Sequence, residues 1–381
     1  MATWDSIVIG GGIEGSSTAW QLARNGHKTL LLEQFPLPHT RGSSHGASRI
    51  IRHGYAEPFY VEMMMDAYKL WREIERESGI ALYRKVGILT LECHPYEGIK
   101  VMESNLAKFG VYYKRLGPRD LKKQFPMLTY PNQYHATLED DGGILRADQA
   151  LKTIQSLFSS AGGTIEDGEK VVNITPGHLI SVHTKQDTYK TKNLVVAAGP
   201  WTNKLLEPLN LKLPLQPLAI NVLYWKEKEQ GEYSPGRMPC FIHSSRDRLQ
   251  EFYGLPCEEY PGLMKVDLHT GRAADPDARD ANNQDQWDVK LVAEFLQKHL
   301  PGLEDKPSVM ERCMYTVTPD HNFILDRHPK YENIVIGAGF SGTGFKLGPV
   351  VGKVLAELVM QKAPSHNLYP FKIDRFSKSK L

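Results

Sequence analysis

A lysine and a histidine lie four residues apart in an apolar, strand-like segment. They are Lys265 and His269, and the segment begins at Met264. Because side chains alternate along a strand, both point to the same face of a sheet. A lysine among apolar neighbours is often an edge residue whose ammonium group reaches water. If it is buried instead, it is a candidate for chemistry.

A second polar segment, residues 42–53, combines glycine and serine with histidine and arginine. Hydroxyls and backbone N–H groups of this kind bind phosphate, and guanidinium groups bind anions. Taken alone, the pattern slightly favours a basic surface loop over a cofactor-facing one. Its candidate groups are Ser43, Ser44, Ser48, Arg49 and Arg52.

A third segment lies near the C-terminus. Residues 337–346 are rich in glycine, and Gly342 and Gly344 permit close backbone approach to a flat ring. Lys346, which ends this run, is a candidate partner for a carboxylate. Cys313 precedes the run, and its pattern alone is typical of a buried structural thiol.

Helices and strands must hold these groups around a ligand. The first residues of the chain predict a structural unit that binds one. An apolar run at 6–9 leads into Gly-Gly-Gly-Ile-Glu-Gly at 10–15. A helix-like segment at 16–25 and a second apolar run at 28–33 follow. This spacing predicts a dinucleotide-binding βαβ unit, against an ordinary glycine turn as the alternative.

Each part of this unit has a physical task. Gly10 makes the tight turn, Gly12 lets the backbone approach a pyrophosphate, and Gly15 lets helix and strand pack closely. The helix N-terminus attracts the phosphates. Glu33 accepts hydrogen bonds from ribose hydroxyls. The unit by itself leaves NAD and FAD open.

Composition bounds the class of protein. The chain has 381 residues and a formal net charge of +2 at pH 7. This length predicts two domains with a large core. The charge gives no reason to expect nucleic acid or a membrane surface as a partner. No apolar run approaches the roughly 20 residues that cross a bilayer.

The four cysteines, Cys93, Cys240, Cys257 and Cys313, are scattered. They form no C-x-x-C pair, and no histidine cluster stands at zinc spacing. We therefore expect free thiols and no metal site.

The last three residues, Ser379, Lys380 and Leu381, match a peroxisomal targeting signal. A polar approach keeps them accessible to an import receptor, which is the expected partner. A frayed polar tail is the alternative. The signal predicts a peroxisomal location and suggests chemistry that uses oxygen and releases hydrogen peroxide.

The order of segments predicts a mixed α/β fold in which a Rossmann-like domain is interleaved with a substrate domain on a mostly antiparallel sheet. Val172 lies in a short strand-like segment, and Gly199 ends a buried one, which suits close approach of a cofactor. The predicted nucleotide-binding domain comprises residues 1–84, 147–219 and 321–381. The substrate domain comprises 85–146 and 220–320.

Six segments together resemble the monomeric sarcosine oxidase family of D-amino-acid oxidase-like flavoproteins, along nearly the whole chain. They read GGGIEG, RGSSHGASRIIRHGY, AAGPWTN, YPGLMKV, CMYTVTPD and GAGFSGTGFK. Jointly they are highly specific. The resemblance implies FAD as the cofactor and a monomer as the oligomeric state.

The resemblance also implies roles by position. Cys313 holds FAD covalently through the flavin 8α-methyl group, and Arg52 and Lys346 bind the substrate carboxylate. Arg49 and Lys265 lie against the flavin, where the lysine is the family's oxygen-activation site. Further active-site positions are His45, Tyr253 and His269. The expected contacts to FAD come from Gly10, Gly12, Gly15, Glu33, Ser43, Ser44, Ser48, Val172, Gly199, Gly342 and Gly344.

Two positions depart from the family pattern. Family members often have histidine where this chain has Thr343, and often threonine where it has Ser48. Both affect fine contacts near the flavin.

The implied reaction is oxidation of a secondary amino acid to an imine, with FAD reoxidised by oxygen to give hydrogen peroxide. Sarcosine, L-pipecolate and L-proline stay open as substrates. The alternatives are a related dehydrogenase with another electron acceptor and a catalytically silent flavin-binding protein.

Overall fold

A computed structural model describes residues 3–245, 250–280 and 286–377. Its α-helices are α1 (Ile13–Arg24), α2 (Pro58–Ser78), α3 (Glu97–Lys108), α4 (Pro118–Gln124), α5 (Ala147–Ser160), α6 (Thr202–Leu206), α7 (Trp287–His299) and α8 (Gly344–Val359). Its strands are β1 (Thr3–Ile9), β2 (Thr29–Leu32), β3 (Ser48–Ile51), β4 (Tyr83–Lys85), β5 (Ile88–Cys93), β6 (Lys114–Leu116), β7 (Tyr134–Glu139), β8 (Gly143–Arg146), β9 (Thr164–Glu166), β10 (Val171–Thr175), β11 (Ile180–Thr184), β12 (Thr188–Val196), β13 (Gln216–Glu227), β14 (Cys240–Ser244), β15 (Glu251–Tyr260), β16 (Leu263–Leu268), β17 (Arg272–Ala273), β18 (Leu303–Val317), β19 (Ile324–Arg327) and β20 (Ile334–Ala338).

The first sheet contains the βαβ unit that the sequence predicts. β1, α1 and β2 follow one another, and β1 pairs in parallel with both β2 and β12. β12 pairs with β11 along its first half and with β20 along its second half. The sheet has eight strands, which run β10-β11-β12-β1-β2-β9, with β20 and β19 beyond β12. The predicted mixed α/β fold with a Rossmann-like sheet is confirmed.

Glycines let the helices approach this sheet and one another. Gly10 has φ +109°, and a Cβ on Gly15 would lie 1.9 Å from the Gly10 carbonyl oxygen. A Cβ on Gly352 of α8 would lie 2.5 Å from the backbone of Ser17 in α1. These small residues allow α1 and α8 to cross closely above β1, where both helices bury apolar residues in one core.

The second sheet has nine strands in the order β17-β13-β16-β15-β14-β5-β7-β6, with β18 also paired to β13. All of these pairings are antiparallel except that of β14 with β5, which is parallel. The sequence predicts strands at 220–225, 252–255 and 264–268, and all three segments lie in this sheet within longer strands. Apolar residues of α7 cover part of one face.

A small third sheet joins the two large ones. β3 pairs with β8, and β8 pairs with β4, in both cases antiparallel. β3 contains Ser48 and Arg49, so this sheet fixes the start of the arginine-rich segment.

The start of α5 differs from the predicted one. The sequence predicts a helix over 148–161 with Asp148 as its N-cap, because aspartate is a common N-cap, but the helix begins at Ala147 and its N-cap is Arg146. The Asp148 side chain accepts a hydrogen bond from the next backbone N–H instead. An acid in the first turn of a helix is still stabilised by the positive end of the helix dipole.

The two large sheets draw on separate parts of the chain. The first takes strands from 3–32, 164–196 and 324–338, and the second from 88–139 and 216–317. We keep the domain boundaries given above as a proposal. The predicted targeting signal at Ser379, Lys380 and Leu381 lies outside the described residues. None of the described helices combines the length and apolarity that a membrane span requires.

Replacing Gly15 tests the close packing of the βαβ unit. Gly15→Ala places a methyl group 1.9 Å from the Gly10 carbonyl oxygen, and such overpacking costs about 1–3 kcal/mol. We expect the melting temperature to fall by about 1–4 °C, because a chain of this length has a large entropy of unfolding. Gly117→Ala is the control, because the nearest atom to its Cβ is 3.8 Å away. Equal shifts in the two variants would contradict the packing argument.

Candidate active site

A long cleft of ≈ 1280 Å³ opens at the carboxyl ends of β1 and β2. Its volume exceeds the ~1,000 Å³ of large drug-sized sites, so it accommodates a dinucleotide. The predicted cofactor-binding residues that line it are Gly10, Gly12, Glu33, Ser43, Ser44, Ser48, Val172, Gly199, Gly342 and Gly344. Gly15 lies beneath it, against the Gly10 carbonyl.

The walls of the cleft are shaped for close contact with a ligand. Gly12 has no side chain there, and a Cβ would lie 3.1 Å from the Ser44 hydroxyl. That hydroxyl accepts a hydrogen bond from the first N–H of α1, at Ile13 (3.0 Å). Val172 is 49% exposed although it is apolar. A bound ligand would cover it.

Backbone groups hold the acid at the end of β2. Glu33 accepts hydrogen bonds from the N–H of Gly11 (2.7 Å) and of Phe35 (3.0 Å). The carboxylate is therefore fixed at the cleft wall, where ribose hydroxyls of a dinucleotide are expected.

A neighbouring acid was missed by sequence reasoning. Glu14 occupies a variable position of the glycine motif and also lines the cleft. Burial raises the pKa of its carboxyl to about 7, so near neutral pH only part of this group carries a negative charge toward a ligand expected to carry phosphates.

A smaller cavity adjoins the cleft and brings together the remaining predicted site residues. It shares residues with the cleft, among them His45, Ser48, Arg49 and Gly342. The others that line it are Arg52, Tyr253, Lys265, His269, Cys313 and Lys346. These residues come from five separate segments of the chain.

One face of the second sheet forms a wall of this cavity. Residues directly opposite on neighbouring strands share a face, and Lys265 lies opposite both Tyr224 and Leu255. Cys313 of β18 lies opposite Ile220 of β13. The register of β13, β15, β16 and β18 thus places a lysine, a thiol and aromatic rings on the same face.

Arg49 is held by loop carbonyls. Its guanidinium donates hydrogen bonds to the backbone oxygens of Ser48 (2.7 Å), Ser43 (3.0 Å) and His45 (2.6 Å). The Cys313 thiol lies 4.0 Å from the same group. The Cys313 sulfur therefore lies at the cavity wall beside a positive charge.

His45 also bridges backbone groups. Its Nδ1 lies 2.8 Å from the Gly42 oxygen, and its Nε2 lies 2.6 Å from the Arg312 oxygen. Burial, assisted by Arg49, lowers the pKa of His45. A neutral imidazole donates to only one of these oxygens.

Two cations face the cavity beside an aromatic ring. The Arg52 guanidinium lies 4.4 Å from the centre of the Tyr55 ring, and the Lys346 ammonium lies 5.9 Å from it. Burial lowers the pKa of Lys346. Within residues 3–245, 250–280 and 286–377, no carboxylate lies within ion-pair distance of either cation.

Side chains of α2 and β7 fix the backbone at or next to Lys346 and Arg52. The Trp71 indole of α2 donates a hydrogen bond to the Lys346 carbonyl oxygen (2.8 Å). The Glu139 carboxylate at the end of β7 accepts from the N–H groups of His53 and Gly54 (2.9 and 3.1 Å). Arg52 is thereby anchored from its C-terminal side.

Lys265 has a carboxylate partner that sequence reasoning missed. Its ammonium lies 2.9 Å from Glu259 Oε1, and both side chains are almost fully buried. The hydroxyls of Ser48 and Tyr224 also donate to Glu259. Burial alone would raise the pKa of Glu259, but Lys265 and the two hydroxyls hold it below its ordinary value.

A second missed acid lies on the same strand. Asp267 is fully buried and accepts a hydrogen bond from the Leu223 N–H (2.6 Å). Burial raises the pKa of its carboxyl to about 7, against the effects of Lys265 and this N–H. Asp267 stands midway between Lys265 and His269, so strand alternation already places it on their face.

His269 and two tyrosines complete this part of the cavity. The Tyr315 hydroxyl lies 3.3 Å from His269 Nδ1, and the Tyr253 ring packs edge-on against the imidazole. Burial lowers the pKa of His269. The neutral imidazole therefore faces the cavity beside phenol groups.

The two departures from the family pattern lie at the cavity. Thr343 lines it, and its hydroxyl donates to the Phe340 carbonyl (3.2 Å). Ser48 donates to Glu259. In the part of the chain that the structure describes, no group of three His, Cys, Asp or Glu side chains is arranged to hold a metal ion.

Comparison with known proteins agrees with the motifs and the fold. The model of the FAD dependent oxidoreductase family matches residues 5–358. Peroxisomal sarcosine oxidase from Homo sapiens is 50% identical over 376 residues, which cover 98% of this chain and 96% of that protein. Monomeric sarcosine oxidase from Bacillus sp. (strain B-0618) is 34% identical over 380 residues, covering 98% and 96%.

Solved structures share the fold. NikD, an amino acid oxidase essential for nikkomycin biosynthesis, superposes with a TM-score of 0.84 at 26% identity, over 98% of each chain. L-proline dehydrogenase from P. horikoshii superposes with a TM-score of 0.85 at 23% identity, over 100% of this chain and 99% of that one. The second likeness concerns the fold alone.

The buried carboxyl of Asp267 predicts a pH-dependent stability. In the unfolded chain this group ionises near pH 3.8, whereas in the fold its pKa is about 7. Between these values only the unfolded state loses the proton, so stability falls as the pH rises and levels off above about pH 7. Asp267→Asn keeps an acceptor for Leu223 but carries no charge. We expect its melting temperature, relative to wild type, to be higher at pH 8 than at pH 5 by about 3 °C.

Asp140→Asn is the matched control, because Asp140 is exposed and pairs with Lys114 at the surface. Its effect should not change between the two pH values by more than about 1 °C. If Asp267→Asn behaves in the same way, the buried carboxyl does not titrate as described.

Proposed function

This chain belongs to the FAD dependent oxidoreductase family and to its sarcosine oxidases, and from that premise we propose which substrate and acceptor it uses. It is a flavoprotein that oxidises the CH–NH group of amino acids. The proposed substrate is a small secondary amino acid such as sarcosine, L-pipecolate or L-proline. The proposed acceptor is O₂, which is reduced to H₂O₂.

The observation that carries the proposal is the pair of cations at the cavity. Arg52 and Lys346 face a space that adjoins the cofactor cleft, beside the Tyr55 ring. Glu251 also lines this space, but among the described residues no carboxylate lies within ion-pair distance of either cation. Buried cations of this kind bind a carboxylate strongly. An amino acid bound by its carboxylate brings its C–N bond toward the cleft, which is catalysis by proximity.

FAD fits the cleft by its chemistry. Gly10, Gly12, Ser44 and the N-terminus of α1 would hold its pyrophosphate, and Glu33 its adenosine ribose. When bound, FAD accepts two electrons from the substrate and returns them to O₂. The remaining predicted contacts, including Val172, Gly199, Gly342 and Gly344, line the same cleft.

The cavity side chains orient the substrate and supply positive charge at the oxygen site. Arg52 and Lys346 orient the carboxylate. His269, Tyr253 and His45 surround the amine with groups that burial keeps mainly neutral. Arg49 and Lys265 place positive charge where negative charge develops as electrons pass to O₂.

We propose that Cys313 forms the covalent bond to FAD. Its sulfur is buried at the cavity wall and lies 4.0 Å from the Arg49 guanidinium. A bond from sulfur to the flavin 8α-methyl carbon is the linkage that the family resemblance implies.

The cellular context is also a proposal. Ser379, Lys380 and Leu381 suit recognition by a peroxisomal import receptor, and a 50% identical relative is a peroxisomal sarcosine oxidase. A peroxisome would contain the H₂O₂ that the reaction releases. We propose a monomer, without a nucleic-acid or membrane partner.

The function is tested by turnover with the three amino acids. We expect aerobic enzyme to consume O₂ and to release H₂O₂ in equal amounts with at least one of them. Anaerobic flavin bleaching without peroxide in air would instead identify a dehydrogenase. Absence of bleaching would identify a silent flavin-binding protein.

Arg52→Gln tests the carboxylate site in the same assay. It should raise KM about 10- to 100-fold, because a charge-assisted hydrogen bond of ~1.5–3 kcal/mol is lost. Arg24→Gln, whose side chain pairs with Glu73 at the surface, is the control and should leave KM unchanged. An unchanged KM in Arg52→Gln would remove this residue from the site.

Cys313→Ala tests the covalent link. Wild-type protein precipitated with acid should stay yellow, and its flavin should migrate with the polypeptide in denaturing gels. The variant should release all of its flavin into the supernatant, because the sulfur is absent. Cys93→Ala, a buried cysteine outside the cavity, should behave as wild type. Flavin retained in Cys313→Ala would exclude this attachment point.

A further inference from the structure

A chain of hydrogen-bonding side chains leads away from Lys265. Its ammonium lies 2.9 Å from Glu259 Oε1, and Tyr224 donates to Glu259 Oε2 at 2.8 Å. The Tyr224 hydroxyl also lies 3.3 Å from Glu311 Oε2. Tyr260 donates to Glu311 Oε1 at 2.6 Å.

The exposed fraction of the side chains increases along this chain toward Glu311 and Tyr260, and its half-buried member Glu311 also lines the cavity. The Lys265 and Glu259 side chains are only 6% and 7% exposed, whereas Glu311 and Tyr260 are half-buried. The Tyr224 hydroxyl lies between the two carboxylates. A phenol that contacts two acids accepts a proton from one side while it donates its own to the other.

The proposed reaction needs a proton at Lys265. Forming H₂O₂ from O₂ takes two electrons and two protons. The reduced cofactor supplies both electrons and one proton, so the protein or water must supply the second. Lys265 is a buried ammonium at the oxygen site, and a proton that it gives up must be replaced before the next turnover.

We propose that Glu259, Tyr224 and Glu311 form a proton-supply path from the surface to Lys265. The inference rests on the proposed oxidase function. When Lys265 loses a proton to the peroxide, Glu259 loses its neighbouring cation and becomes more basic. Glu311, protonated from solvent, donates to Tyr224 while Tyr224 donates to Glu259 and Glu259 donates to Lys265. The transfers are concerted and no tyrosinate forms, because burial and Glu259 raise the pKa of Tyr224. The net change is transfer of one proton from solvent to peroxide.

Glu259 and Tyr224 are positioning and relay residues, and stopped-flow reoxidation of reduced enzyme by O₂ tests them. We expect Tyr224→Phe and Glu259→Gln to slow reoxidation about tenfold or more, the scale of a lost proton-transfer group. Flavin reduction by substrate should change less than twofold. Tyr83→Phe is the matched control, because its hydroxyl donates to a surface carbonyl, and it should leave both rates unchanged.

A double-mutant cycle distinguishes loss of a proton relay from a general structural perturbation of the site. In a Lys265→Met background, Tyr224→Phe should cause no further loss, because there is no lysine left to reprotonate. Losses that multiply would overturn the path. If Glu259→Gln fails to bind flavin, the Tyr224→Phe cycle alone decides.

Infrared difference spectra of anaerobic reduction give a readout independent of turnover. Wild type should show a carboxyl band of Glu259 that shifts in Tyr224→Phe and is absent in Glu259→Gln. A spectrum that is unchanged in both variants overturns the proposal. Wild type that makes no peroxide refutes the proposed function instead, whereas peroxide with a Tyr224→Phe rate equal to that of Tyr83→Phe refutes only the path.

Discussion

Four cations around one cavity, of which Lys265 and Lys346 are buried and Arg49 and Arg52 partly buried, are the constraint on which the rest of the structure depends. An isolated charge in the interior costs several kcal/mol, so each needs a partner. Arg49 is held by three backbone oxygens, and Lys265 by Glu259. Arg52 and Lys346 have the face of the Tyr55 ring. The first two are satisfied by the protein, whereas the second two are left for an anion.

The arrangement of strands keeps these cations next to their partners. The Arg49 carbonyls belong to a loop that enters the small sheet through β3, and the Lys265–Glu259 pair spans adjacent strands β16 and β15 of the large antiparallel sheet. Ser48 joins the two sheets by its hydrogen bond to Glu259. A shift of one residue in β16 would turn Lys265 away from the cavity. Sheet register, more than any loop, therefore determines the site.

The sequence predicts those parts that depend on local spacing. The βαβ unit from Gly10 to Glu33 is recognisable because turn, helix and acid stand close in the chain. The cavity is different, because its residues meet only through strand pairing between distant segments. Glu259 is only six residues from Lys265, but the two side chains meet only because β15 and β16 form a hairpin. Asp267 had a visible signal, since alternation puts it between Lys265 and His269. The roles of individual residues stay predictions.

Among the described residues, Lys265 has an ion-pair partner whereas Arg52 and Lys346 do not, and this difference has a chemical consequence. Under the proposed function, a substrate carboxylate that enters the cavity meets one lysine that is ion-paired with Glu259. It also meets two cations that have no ion-pair partner in the part of the chain that the structure describes. It therefore binds more strongly at Arg52 and Lys346 than at Lys265. Under the proposed function, Glu259 thus disfavours binding of the substrate carboxylate beside Lys265. A cavity with four equally available cations would bind the same anion in several orientations, and only some of these would direct the C–N bond toward the cofactor.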